Sequence, residues 1–247
     1  MKVLFSPSEA KTDITTHGPI DKNSFCCREL YDKRVEIIDR YQDILATKEL
    51  VELKKLFGIK DEKKSLEMAN IDIKTSSTCR AIKRYKGVAY EYLKYETLTT
   101  NQKEFLDKNT IIFSNLFGPI FAKDYIPIYK MKQGTSLNGF KTENFYKEFF
   151  SDSLDQLLKD EFIIDLRAGF YEKFYKIPYP YITLKFIKNG KVVSHWAKAY
   201  RGIVLRNLSI NNITSLGEFK NMEIENLEIQ EIHKKGIKTE FIYNISD

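Results

Sequence analysis

Five short segments hold the residue types that bind or transform anions. They are Ser6 to Thr12 (SPSEAKT), Arg84 to Tyr90 (RYKGVAY), Ile126 to Gly134 (IPIYKMKQG), Asp165 to Tyr175 (DLRAGFYEKFY) and Ala197 to Arg206 (AKAYRGIVLR). Each sets a Lys or Arg beside Gly, Tyr or Ser and next to an apolar run. Cationic side chains give charge-assisted hydrogen bonds, hydroxyls donate and accept, and Gly lets backbone come close to a ligand. Segments so far apart act together only if the fold gathers them. Five of them predict one cationic cleft.

Each segment has a structural reading beside the chemical one. Lys198, Arg201 and Arg206 fall within roughly a 140° arc if they lie on a helix, so they share a face there. A strand, a Gly turn and a helix start would hold an anion; a solvated helix face would show the same residues. Arg84, Lys86, Gly87 and Tyr90 fit a close backbone approach or a plain helix–turn. Ser6, Ser8, Glu9 and Lys11 follow an opening strand, and strand ends are common ligand sites in α/β folds. Ser8 and Lys11 have the spacing of a nucleophile and its base, or of an ordinary loop. Leu56-Phe57-Gly58-Ile59-Lys60 lies between two helical stretches. A helix–hairpin–helix element holds a DNA phosphate on such a turn without reading bases. Here Lys60 replaces its second Gly, and a simple αα-hairpin with a Gly cap fits as well.

Composition sets the frame. The chain has 247 residues, 43% hydrophobic and 30% charged, which is a globular balance with enough length for a real core. A net charge of +6 permits an anionic partner without a basic tail to hold it. Cys26, Cys27 and Cys79 are an odd set with two adjacent, unlike a disulfide framework. No apolar run approaches the ~20 residues of a membrane span, and the N-terminus lacks a signal-peptide core. We therefore expect a cytoplasmic protein with no membrane partner. His17, His195 and His233 are far apart and there is no CxxC, so no metal site and no cofactor is expected. No GxGxxG or GxxxxGK[ST] string is present.

The elements that must position these residues follow from periodicity. Lys2 to Phe5 reads as a buried strand. Ile37/Ile38, Tyr41 and Ile44/Leu45 recur at helical spacing from Val35, and Leu50, Leu53 and Leu56/Phe57 continue it until Gly58. Helix is expected over Lys60 to Met68, over Ser76 to Tyr85, from a Thr99/Gln102 capping box to Asp107, over Glu143 to Leu158, and after Gly202. Strands are expected at Thr110 to Phe113, ended by Gly118-Pro119, and at Ile126 to Met131 and Phe162 to Leu166. Asn189-Gly190 predicts a hairpin between Tyr181–Lys188 and Lys191–Ala197. The tail past Thr214 reads as short strands and turns. With no repeat or linker, residues 1–247 form one α+β domain.

Taken in order, the segments resemble the YaaA peroxide-stress family, end to end and most weakly after about Ser215. SPSEAKT matches its SPAKT-like opening with one residue inserted. Arg84, Tyr85, Gly87 and Tyr90 match its RYxGxxY motif. Asn115 to Gly118 and Ile128 to Gly134 match its GLYG and PYRLEMG stretches. Asp165 to Ala168 with Tyr171 and Lys173 match NLAS-x-EY-x-K, and Ala197, Lys198, Arg201, Gly202 and Arg206 match AKxARGxMxR. Lys130 replaces an Arg, Asp165 an Asn and Ala168 a Ser, and Phe149-Phe150 replaces Phe-Trp. The resemblance implies an α+β fold peculiar to the family, with a cationic cleft and a helix–hairpin–helix-like element. It also implies protection from hydrogen peroxide by limiting damage from reactive iron, and binding of duplex DNA. On that reading double-stranded or distorted DNA is the partner, held by Gly58 and Lys60 and by Arg84, Lys130, Lys173, Lys198, Arg201 and Arg206. The alternative is an enzyme acting on a small anionic or nucleotide-like ligand in the same cleft, with Ser6, Lys11, Tyr90, Tyr171 and Lys198 as catalytic candidates.

Overall fold

Four residues open the chain as β1 (Lys2–Phe5), and Val3, Leu4 and Phe5 are fully enclosed. The computed structural model describes residues 1–246, with the backbone alone at 194 and 195. After β1 come β2 (Ala10–Lys11) and the helices α1 (Tyr31–Thr47), α2 (Leu50–Phe57) and α3 (Glu62–Met68). β3 (Thr78–Arg80), α4 (Ala81–Arg84), β4 (Tyr85–Lys86), α5 (Val88–Leu93) and α6 (Thr100–Asn109) follow. Next are β5 (Thr110–Ser114), β6 (Gly118–Phe121), β7 (Tyr125–Pro127), α7 (Thr142–Leu158), β8 (Ile163–Leu166), β9 (Tyr181–Lys188) and β10 (Lys191–Val192). The chain then forms α8 (Ser194–Ile210), α9 (Leu216–Asn221), β11 (Leu227–Lys235) and β12 (Lys238–Ile245).

The main sheet runs β11-β12-β9-β8-β1-β5-β6, with β10 also on β9. β1 is parallel to both β5 and β8, and the parallel run continues through β9 to β12. β6 and β11 close the two edges antiparallel. Central parallel strands are covered on both faces, which is why Val3 to Phe5 and Ile111 to Phe113 are continuous apolar runs rather than alternating ones. The fold is α+β, with helices around a mixed sheet. The chain leaves β1 for β5 on one side and later reaches β8 on the other. Such a switch opens a crevice at the strands' carboxyl ends.

Several local signals act as expected. Ile37, Ile38, Tyr41, Ile44 and Leu45 form the buried stripe of α1. Gln102 N–H donates to Thr99 Oγ1 at 3.4 Å and Thr99 N–H to Gln102 Oε1 at 2.9 Å, completing the capping box of α6. Asn189 and Gly190 both take positive φ, as their tight turn demands.

Other expectations need correction. The helix expected over 76–85 forms only as the single turn of α4, because Thr78–Arg80 is β3, paired antiparallel with β7. Thr78 and Cys79 are buried by that pairing, a distant interaction that local periodicity does not encode. The strand expected over 126–131 is only Tyr125–Pro127. Gly118 and Pro119 do not end β5 but begin its partner β6. The second hairpin strand stops at Val192, because α8 starts at Ser194 and runs straight through Gly202. The tail, expected as short strands and turns, holds the helix α9 and the long β11–β12 hairpin.

Gly202 stays helical because α8 presses directly on α5. A Cβ at Gly202 would overlap the Ala89 carbonyl. Arg206 fixes the same contact further along, donating to the Leu93 and Lys94 carbonyls at 3.1 Å each. Those carbonyls end α5 and lack helical partners. Gly202→Ala should therefore destabilise the protein by about 1–3 kcal/mol through overpacking, a Tm loss of roughly 2–4 °C per kcal/mol. Gly217→Ala, where the added methyl meets nothing within 4 Å, should leave Tm unchanged or raise it in the same thermal melt.

Candidate functional site

The parallel strands end side by side, and each releases a site residue. Ser6 follows β1, Asn115 follows β5, and Arg167 with Ala168 follows β8. The Ala168 N–H donates to Ser6 Oγ at 2.7 Å, tying the last loop to the first. The Tyr90 hydroxyl donates to the Ser6 carbonyl at 2.9 Å and draws α5 over them. Gly87 precedes α5 with φ 129°, and a Cβ there would sit 2.8 Å from Ser8 Oγ. Only Gly allows both the backbone angle and the approach. Lys198 and Arg201 arrive from α8. Ser6, Ser8, Gly87, Tyr90, Ala168, Lys198 and Arg201, with Glu9, Gln133 and Tyr171, line a cavity of about 370 Å3, while Asn115 and Arg167 lie outside its lining.

Lys198 is exposed on the rim and Arg201 is partly buried. Burial lowers the Arg201 pKa, while Asp165 and Glu172 oppose that shift. Among the described residues the Arg201 guanidinium has no hydrogen bond or ion pair, so its donors face the cavity unused. At the other side Glu9 Oε1 accepts the Gln133 N–H at 3.0 Å, and Lys130 Nζ lies 3.9 Å from its second oxygen. Tyr90 and Tyr171 are walls: burial pushes both phenols above their ordinary pKa, and neither is poised to lose a proton near neutrality.

Asp165, which brings a negative charge where the resemblance expects Asn, is neutralised within two residues. Arg167 grips it bidentately, Nε to Oδ1 and Nη2 to Oδ2 at 2.8 Å each. Arg167 Nη1 also donates to the Tyr171 and Tyr175 carbonyls, so both charges are buried and satisfied.

Lys11 lies behind the cavity rather than in its lining. Its ammonium is 3.9 Å above the Tyr129 ring and 5.3 Å from the Tyr85 ring, and it donates to the carbonyls of Ser8 (3.1 Å) and Glu9 (3.4 Å). It points at the Ser8 carbonyl and not at the Ser8 hydroxyl, so spacing alone did not produce a nucleophile–base pair. Burial brings its pKa down to about 7, with Lys130 adding to the effect and Glu9 opposing it. Sequence reasoning missed what lies beneath. Tyr129 shares its hydroxyl with Tyr85 (2.9 Å), Ser114 (2.8 Å) and Asn115 (3.3 Å). The signal was the two Tyr residues that stand beside motif cations in the sequence.

The remaining expected cations lie elsewhere. Arg84 is fully buried and donates to the Ile126 carbonyl through Nε and Nη2 at 3.3 Å and to the Thr12 carbonyl at 2.5 Å. It holds backbone and faces no ligand, which corrects its expected place in the cleft. Arg206 is likewise spent on α5. Lys130 reaches Glu9 from outside the lining, and Lys173 is exposed over the Phe170 ring at 5.3 Å. Lys60 belongs to a second basic concavity of about 400 Å3, shared with Lys54, Lys55, Gly58 and Lys132. There Gly58, at φ 65°, ends α2 and donates to the Lys54 carbonyl, and Asp61 caps α3 by accepting the Lys64 N–H at 3.0 Å. Lys54 is paired with Glu62 and Lys55 with Glu52. A larger open concavity of about 690 Å3 beside α9 and β12 gathers none of the motifs.

His17 packs at a tilt against the Tyr125 ring and His233 pairs with Glu231; the His195 side chain lies outside the described residues. Among the described residues no group of three or more His, Cys, Asp or Glu is placed to hold a metal ion, and no helix is long and apolar enough to cross a membrane.

A family model described as peroxide stress protein YaaA matches residues 1–233. The chain belongs to that family. It is 44% identical over 247 residues to an uncharacterized protein of Campylobacter jejuni, covering 100% of both chains. It is 34% identical over 228 residues to a UPF0246 protein of Corynebacterium efficiens (88% of this chain, 89% of the relative). It is 30% identical over 241 residues to a UPF0246 protein of Marinomonas (91% and 90%).

The lowered Lys11 pKa has a consequence for stability. Between about pH 7 and its unfolded value of 10.5, the unfolded chain binds the proton and the folded chain does not. Lys11 therefore makes stability rise with pH from 7 upward, and its penalty is fully present below 7. Lys11→Met should remove that rise. Urea titrations of both proteins from pH 7 to 9.5, below the Tyr titrations, should show the wild type gaining on the variant at each step.

Proposed function

We propose that this member of the peroxide-stress family binds a small anion in the cavity between the β1 and β8 ends, α5 and α8. The observation that carries this reading is size combined with unused charge. A cavity of about 370 Å3 suits a small molecule, since such pockets hold roughly 300–1,000 Å3. A duplex contact instead needs roughly 600 Å2 or more of open surface. Arg201 supplies a planar donor fork already partly stripped of water, Lys198 a mobile charge at the rim, and Ser6 a hydroxyl fixed by the Ala168 amide. Glu9 opposite them favours a ligand that also carries a hydrogen-bond donor, as nucleoside phosphates do. Binding is the activity the arrangement supports; the described residues place no base against the Ser6 or Ser8 hydroxyl.

The lysines around Gly58 favour a second role, contact with DNA backbone. Lys60 and Lys132 there have no ion-pair partner among the described residues and flank a turn between two short helices. Lysines gathered around one turn suit phosphates and read no sequence. Protection of DNA, including from damage linked to reactive iron, fits this second surface.

Calorimetry with pyrophosphate and a nucleoside monophosphate tests the first role. Lys198→Ala and Arg201→Ala should each raise Kd roughly ten- to hundredfold, the ~1.5–3 kcal/mol of a charged hydrogen bond. Unchanged Kd in both variants would refute it. For the second role, fluorescence anisotropy with labelled duplex should give a log–log salt slope that shrinks by about 2 in Lys60→Ala/Lys132→Ala. It should not move in Lys198→Ala/Arg201→Ala. The opposite pattern would put DNA in the cleft.

A further inference from the structure

Away from both basic sites, the adjacent cysteines Cys26 and Cys27 sit between two 3-10 turns, each thiol reduced and partly exposed. Cys26 is gripped from every side. Its N–H donates to Asp124 Oδ2 at 3.0 Å and its thiol lies 3.2 Å from the Pro119 carbonyl. The fully buried Arg34 guanidinium donates to the Cys26 carbonyl at 2.8 Å and approaches its sulfur at 3.6 Å. Cys27 sits in the left-handed region at φ 50°, ψ 48°, an uncommon conformation for a residue other than Gly or Asn. Its sulfur neighbours the Cys26 thiol, whose proton points to the Pro119 carbonyl. The adjoining Cys26 thiol and Arg34 hold the Cys27 thiol below its ordinary pKa, while the Cys27 neighbour and burial push Cys26 up. An electropositive, partly exposed sulfur beside a second thiol is the setting of a reactive cysteine. Arg34 also donates to the carbonyls of Phe117 and Pro119, so the pair is joined to the β5–β6 turn next to the cleft strand.

We infer that Cys26 and Cys27 form a peroxide-reactive dithiol, with Cys27 as the attacking sulfur and Cys26 as the resolving one. The Cys27 sulfur attacks one oxygen of hydrogen peroxide, an S–O bond forms and the O–O bond breaks. The departing hydroxide takes the Cys26 proton and leaves as water. The Cys26 sulfur then attacks the Cys27 sulfenic acid, an S–S bond forms, and the S–O bond breaks. The second hydroxide takes a proton from solvent, so two thiols and one peroxide give one disulfide and two waters. Neighbouring Cα atoms about 3.8 Å apart are closer than a relaxed disulfide prefers. The ring is strained and readily reduced, as a reversible sensor in a reducing compartment requires. Closing it withdraws the Cys26 sulfur from Pro119 and Arg34, which carries the signal to the β5–β6 turn.

The test is peptide mass mapping of the native protein after limited hydrogen peroxide, with dimedone present or absent. The peptide holding residues 26 and 27 should lose two hydrogens faster than free cysteine is oxidised at the same pH, while the buried Cys79 stays reduced. Dithiothreitol should restore it. Cys26→Ser should stop at a dimedone-trapped sulfenic acid on Cys27, and Cys27→Ser should leave Cys26 reduced. The inference is overturned if the wild-type pair reacts no faster than free cysteine, or if Cys26 in Cys27→Ser is oxidised at the wild-type rate. The wild-type map alone decides the first point, whatever the variants do to folding.

Discussion

The position of β1 is the constraint from which the rest of the molecule follows. After Lys2, this strand is Val-Leu-Phe, apolar on both faces, so it is stable only between two neighbours and two covering layers. Those neighbours, β5 and β8, come from the middle and the second half of the chain, and both run parallel to it. Parallel strands end at one edge of a sheet. The residues just past β1, β5 and β8 therefore meet whatever their distance in sequence. Ser6 and Ala168 are joined by a hydrogen bond for that reason, and the cavity opens where they meet. α5 and α8 then roof it, and their separation is set by the one contact that excludes a side chain, Gly202 against Ala89.

Most arginines near this centre serve the backbone. Arg34, Arg84, Arg167 and Arg206 all end on main-chain carbonyls, and Arg167 on a carboxylate as well. An Arg has five donors in a rigid fork, so it can satisfy several loop carbonyls that no strand or helix reaches. That use withdraws charge from the surface. It explains how a chain of net charge +6 places, among the described residues, two cations on its cavity and a separate lysine group around the Gly58 turn. The division also separates two jobs that one cleft could not do, enclosing a small ligand and laying against a phosphate backbone.

Signals that are complete within a few residues were legible in the sequence. Thr99 with Gln102 and Asn189 with Gly190 each specify their own geometry, and the apolar stripe of α1 needs only a period. The motifs themselves were legible as places where Gly, Tyr and cations coincide, and Ser6, Tyr90, Tyr171, Lys198 and Arg201 do converge. What could not be read was which way a side chain is used. Arg84 and Arg206 differ from Arg201 only in whether a distant carbonyl lies within reach. Gly202 read as the start of a helix because a glycine inside one is costly, and its reason, the Ala89 carbonyl, is more than a hundred residues away in sequence. Asp165 read as a misplaced charge until Arg167 was seen to fold back on it. The strand at Thr78–Arg80 was hidden in the same manner, since its partner is β7.

The account stands on an unpaired guanidinium at the wall of a small cavity, and a crystal structure grown with tungstate at low ionic strength tests it most directly. Tungstate mimics a phosphate and scatters strongly, so its position needs no interpretation of weak density. The account predicts an oxyanion within hydrogen-bond distance of Arg201 and Lys198, with Ser6 still held by the Ala168 amide. Tungstate bound only among the lysines at Gly58, with the cavity between α5 and α8 holding none, would contradict it.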